Sequence, residues 1–140
     1  MTIKDELKMQ IIDSVILALR EDIGSGDITS NTIIPQGKII KARITAKESG
    51  VICGISIAQL VFSSLNKSIK FSNSVKDGQK VKAGQVIAEL KGPARAILTG
   101  ERTALNYLQR LSGIATLTAM YFKEAGSKAR ILDTRKTAPG

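Results

Sequence analysis

From Lys38 to Ser49 the sequence alternates, with Ile40, Ala42, Ile44 and Ala46 on one face and Lys41, Arg43, Thr45 and Lys47 on the other. A strand with one wet face has this period of two, and antiparallel sheets allow such a face. The chain is thereby committed to an antiparallel sheet with one side to cover. Residues 3–20 supply a helix, with Leu7, Ile11, Val15, Ala18 and Leu19 in one stripe widened by Ile12 and Ile16. Lys4, Asp5, Lys8 and Asp13 lie on its wetter side.

The remaining stretches read as short elements. Asp22–Thr29 carries two glycines and predicts a turn with an Asx-type bond; its spacing matches no calcium loop. Glu48-Ser49-Gly50 ends the alternating strand, Val51–Ile55 starts a second one around Gly54, and Ile57–Leu65 predicts a short apolar helix. In residues 75–92 two strand pieces flank Asp77-Gly78 and Ala83-Gly84, each with the glycine that a tight turn needs. The pattern resembles the hairpins of lipoyl and biotinyl carrier domains, but the Asp-Lys or Met-Lys-Met context of a carrier lysine is missing. Gly92-Pro93-Ala94-Arg95 reads as a loop. Helical spacing then returns, with Thr99 as N-cap and Ala104, Leu105, Leu108 and Leu111 on one face. Ser112-Gly113 is expected to kink this helix before it resumes through Ile114–Ala125 and stops near Gly126. Arg130-Ile131-Leu132 predicts a short strand. No internal repeat is read.

Composition narrows the function classes. The 140 residues fit one domain, or a small one plus the start of another. No apolar run approaches the roughly 18 residues that span a bilayer, and MTIKDELKMQ does not read as a signal peptide. A single cysteine, Cys53, fits a reducing cytoplasm and reads as a buried, inert thiol. Histidine, the commonest general base, is absent. The net charge of +9 is uneven: residues 1–37 hold three Lys or Arg against six Asp or Glu, and residues 38–140 hold eighteen against six. Such a surface suits an anionic ligand as well as solvent.

Two constellations carry chemistry. In Glu101-Arg102-Thr103-Ala104-Leu105-Asn106, Arg102 and Asn106 share one helix face while Ala104 and Leu105 take the buried one. An arginine in the first turn after a Thr99 cap would oppose the helix dipole, and spacing alone favours plain neutralisation by Glu101 or another acid. In Asp133-Thr134-Arg135-Lys136-Thr137, two cations and two hydroxyls after a strand make either an anion site or a solvated basic turn.

At these motifs the chain closely resembles the quinolinate phosphoribosyltransferases. The resemblance runs through Glu21-Asp22 with Gly26-Asp27-Ile28-Thr29, AKESGVICG, DGQKVKAG, GERTALNYLQRLSGIAT at 100–116 and LDTRKTAPG at 132–140. It implies an α+β fold: a hammerhead or barrel-sandwich-like N-terminal domain with a linking helix in residues 1–112, then the first helix and strand of a truncated α/β barrel in 113–140. It implies a pentosyltransferase of NAD biosynthesis that forms nicotinate mononucleotide, CO2 and pyrophosphate from quinolinate and phosphoribosyl pyrophosphate, with Mg2+ as a cofactor whose ligands are not in this chain. By position, Arg102 would bind a quinolinate carboxylate in the partner's site of a homodimer. Thr134, Arg135 and Lys136 would bind substrate anions. Family members continue well beyond these residues, so the chain is expected to be a fragment inactive alone, with residues 114–140 loosely held, swapped or paired with another copy.

Two other readings compete. The similar molybdenum-operon protein shares ERTALN-like and TRKT-like motifs. A basic interaction module, perhaps for nucleic acid, is the other; against it, Phe62, Phe71, Tyr107, Tyr121 and Phe122 do not interleave with the cations as a stacking surface would. Neither nucleic acid nor membrane is expected as a partner.

Overall fold

A computed structural model describes residues 3–127, 129–134 and 136, without the side chains of residues 3–5. The elements run α1 (Ile3–Ile23), α2 (Ile28–Ile33), β1 (Ile39–Thr45), β2 (Gly50–Val51), α3 (Ile55–Leu65), β3 (Lys70–Asn73), β4 (Lys80–Val81), β5 (Val86–Pro93) and α4 (Ala94–Ala125). All described strand pairs are antiparallel. One sheet has the order β1-β5-β3 and the other pairs β2 with β4.

The alternation in β1 does what its period requires. Ile40, Ala42 and Ile44 turn inward while Lys41, Arg43 and Thr45 stay in water. Arg43 faces Glu89 across the register, and their side chains pair at 2.9 Å. The central strand β5 buries Ile87, Ala88 and Leu90. Val15 of α1, Val61 and Phe62 of α3, and Ile97, Ala104 and Leu108 of α4 close over the same core. Gly100 lets α4 approach α3 closely, since a Cβ there would lie 2.8 Å from Leu65 Cδ1 and 3.1 Å from Phe62 Cδ1.

Several expected boundaries move. Val51–Ile55 is not a strand beyond Val51: Gly54, at φ +98°, sits at the N-cap of α3, which starts at Ile55. Asp77 supplies the missing cap from a distance, its carboxylate accepting from the Ile55 amide at 3.0 Å. The two turns in residues 75–92 form, but they do not make hairpins in the expected sense. β4 pairs with β2, and β5 pairs with β1 and β3. The two turns share one geometry. In each, a lysine amide donates to the glutamine three residues on (Lys76 to Gln79 Oε1, Lys82 to Gln85 Oε1, both 3.1 Å). Their glycines have φ +84° and +81°.

Helix α4 differs most from expectation. It begins at Ala94 directly after Pro93, so Gly92-Pro93-Ala94-Arg95 is a strand end and a helix start rather than a loop. Proline's fixed φ and missing N–H suit a helix start. The helix also runs unbroken through Ser112-Gly113 to Ala125, and Gly126 follows with φ +54°. At about 1.5 Å per residue its 32 residues extend about 48 Å. Residues 129–134 form no strand. A strand needs a neighbour for its backbone groups, and no described segment pairs with this one.

Candidate functional site

Arg102 stands on the outer face of α4, well past the first turn. The supposed conflict with the helix dipole therefore disappears, because that field fades within the terminal turn. Its neutralising acid is not Glu101 but Asp22, whose Oδ1 lies 2.9 Å from Arg102 Nη1. The arginine side chain is 75% exposed and that of Asp22 21%. Such an exposed pair contributes about 0–1 kcal/mol.

The local fold that brings these groups together is built by α2. Asp22–Thr29 is not one turn: α1 continues through Asp22 to Ile23, and α2 starts at Ile28 with Asp27 as its N-cap. Asp27 Oδ1 accepts from the Ser30 amide at 2.9 Å, and Oδ2 accepts from the Thr99 hydroxyl at 2.8 Å. Thr99 is thus a tie between α4 and α2 rather than the N-cap of α4. Ser30, through its hydroxyl and its amide, then Thr99, hold the Asp27 carboxyl below its usual range. Arg95 secures the other end of α2, donating to the carbonyls of Ile34 (2.7 Å) and Asn31 (2.9 Å). Its guanidinium is thus committed to the protein.

Two shallow depressions flank Arg102. One, of about 300 Å3, lies between Asp22, Asp27, Thr29, Thr99 and Arg102; the other, of about 370 Å3, runs along Leu98, Arg102, Asn106 and Gln109. Arg102 and Asn106 share one face, as their spacing predicts. Thr134 and Lys136 are exposed and joined locally, the Lys136 amide donating to Thr134 Oγ1 at 3.2 Å. Neither lines the depressions at Arg102. Arg135 lies outside the described residues. The sequence reading missed the partnership of Asp22; the signal available was an acid in the last turn of a helix, where the dipole disfavours it.

Cys53 is partly buried and has no disulfide partner. Burial first, then the nearby Asp77 charge, push its thiol pKa up, which disfavours the nucleophilic thiolate. Among the described residues no group of three or more His, Cys, Asp or Glu could hold a metal ion. No described helix is long and apolar enough to cross a membrane.

Residues 27–112 match the family described as quinolinate phosphoribosyl transferase, N-terminal domain. The chain belongs to the quinolinate phosphoribosyltransferase family. Quinolinate phosphoribosyltransferase (decarboxylating) 1b of Nicotiana tabacum is 44% identical over 125 residues, which take up 89% of this chain and 35% of the tobacco protein. A probable nicotinate-nucleotide pyrophosphorylase (carboxylating) of Bacillus subtilis is 46% identical, over 86% of this chain and 42% of its own length. The crystal structure of NadC from Streptococcus pyogenes has the same fold, with a TM-score of 0.88 and 40% identity over 94% of this chain and 48% of that one. The chain thus spans about a third to a half of the length of the quinolinate phosphoribosyltransferases it matches.

Proposed function

We propose that the chain acts in NAD biosynthesis as the amino-terminal part of a quinolinate phosphoribosyltransferase, with Arg102 gripping a carboxylate of quinolinate. The full reaction would join quinolinate to phosphoribosyl pyrophosphate and release CO2 and pyrophosphate. The observation that carries this reading is Arg102 itself: a charged, largely exposed guanidinium on a family-matching helix, with a depression on either side. A planar guanidinium holds a carboxylate through two parallel hydrogen bonds.

In this reading Thr134, Arg135 and Lys136 bind further anionic groups of the substrates, and Arg102 serves the site of a second copy in a homodimer. The outward position of Arg102 supports the latter. The metal-assisted departure of pyrophosphate falls to parts of the relatives that these residues do not span, so the chain alone is expected to bind without turning over. A cytoplasmic setting fits its one cysteine outside any disulfide.

Calorimetric titration of the chain with quinolinate tests the reading. The expected result is saturable binding that weakens at least about tenfold in Arg102→Ala, the loss of a charge-assisted hydrogen-bonded contact. Equal binding by both forms, or none by the wild type at millimolar ligand, contradicts it.

A further inference from the structure

Asp22 occupies the last turn of α1, where the helix dipole is least favourable to an anion. It meets Arg102 through one hydrogen bond, from Nη1 to Oδ1, at 2.9 Å. With the arginine 75% exposed the pair adds little to stability even though Asp22 is only 21% so, and holding the fold together does not account for an acid at this position. The contact changes the freedom of the arginine instead. Its Nε–Nη2 edge makes no hydrogen bond to the protein among the described residues. That edge carries two parallel donors, the arrangement that grips a carboxylate.

The geometry points to Asp22 as a positioning residue: by fixing Nη1, it presents the Nε–Nη2 edge of Arg102 to a ligand carboxylate. This rests on the reading of Arg102 as the quinolinate arginine and adds the group that aims it. The backbone around Asp22 is itself held. Gly24 N–H donates to the Arg20 carbonyl at 3.0 Å and Gly26 N–H to that of Ile23 at 2.9 Å. Beyond them, Asp27 anchors the following turn to α4 through Thr99. Asp22 is therefore presented from a fixed support, while Arg102 reaches it on a long, flexible stem.

Position and charge make opposite predictions. As a mere negative charge beside an anion site, Asp22 would weaken quinolinate binding, and removing it would strengthen binding. As the group that aims Arg102, it strengthens binding. Asp22→Ala and Asp22→Glu, prepared in the full chain with isotopic labelling, separate the two. NMR of the Arg102 guanidinium is expected to show severalfold faster rotation of its Nη groups in Asp22→Ala, slowed again in Asp22→Glu. Quinolinate affinity is expected to fall about fivefold in Asp22→Ala, the scale of an exposed ion pair, and to recover in part in Asp22→Glu. Unchanged guanidinium rotation in Asp22→Ala overturns the assignment whether or not quinolinate binds, and so does an affinity that rises. Failure of the wild-type chain to bind quinolinate contradicts instead the role given to Arg102, and the rotation measurement then decides Asp22 by itself.

Discussion

Asp27 joins α2 to α4 beside Arg102. One of its carboxylate oxygens caps α2 and the other holds Thr99 of α4, so a single charge fixes the turn that follows Asp22. Its pKa is lowered by Ser30 and then Thr99, so its contribution to stability has a definite sign. The contribution is fully present above the unfolded value of about 4 and is lost as pH falls through the lower folded value. Asp27→Asn is therefore expected to reduce stability at pH 6 and to flatten its decline below about pH 4. Thermal melts across pH 2–6 check this, and parallel declines in the two proteins would contradict it. Little of this node was legible in the sequence. Asp27 with Ser30 three residues on is a cap signature, but α2 has only six residues, too few to show a period. Thr99 lies 72 residues from Asp27, a pairing that only the tertiary fold reveals.

At the scale of elements, local patterns were readable and partner choices were not. The helix α1 and the alternation of β1 follow from the period of their own side chains and both formed, although Leu7 of the α1 stripe stays exposed. The short strand β3 was missed because Lys-Phe-Ser-Asn has no clear alternation and depends on pairing with β5. The expected kink at Ser112-Gly113 is absent for a tertiary reason. Ser112 Oγ accepts from the Cys53 amide at 3.0 Å and Thr116 Oγ1 from the Val51 amide at 2.8 Å, tying α4 to the β2–α3 junction on both sides of Gly113. Gly54 makes that junction possible. It has φ +98°, and an added Cβ would stand 2.8 Å from Leu111 Cδ1. Gly54→Ala is expected to destabilise the chain by about 1–3 kcal/mol through backbone strain and overpacking. Urea unfolding would show it, and an unchanged midpoint would mean that α4 is not held against this junction.

Across the whole molecule, the two ends of α4 have different surroundings. Its first half buries Ala94, Ile97, Ala104 and Leu108 in the core, whereas Ile114, Leu117, Met120, Tyr121 and Phe122 are exposed. An amphipathic pattern shows which residues want burial but not whether a neighbour exists to bury them. The same limit explains why residues 130–132 read as a strand and do not form one. The candidate site was legible to the same degree. The sequence picked out Arg102 and its shared face with Asn106, but not the Asp22 pairing 80 residues away. The motif that holds Thr134 and Lys136 reads equally as an anion site or a solvated basic turn, and those two residues do not line the depressions around Arg102. We propose that Arg102 is where this chain meets quinolinate. Mapping quinolinate-induced NMR shifts over the labelled chain tests it most directly, with nicotinate as the monocarboxylate control. The expected result is a saturable set of shifts centred on the Arg102 side chain, Leu98 and Asn106, stronger for the dicarboxylate. Shifts scattered over the surface lysines, or the absence of any, would contradict it.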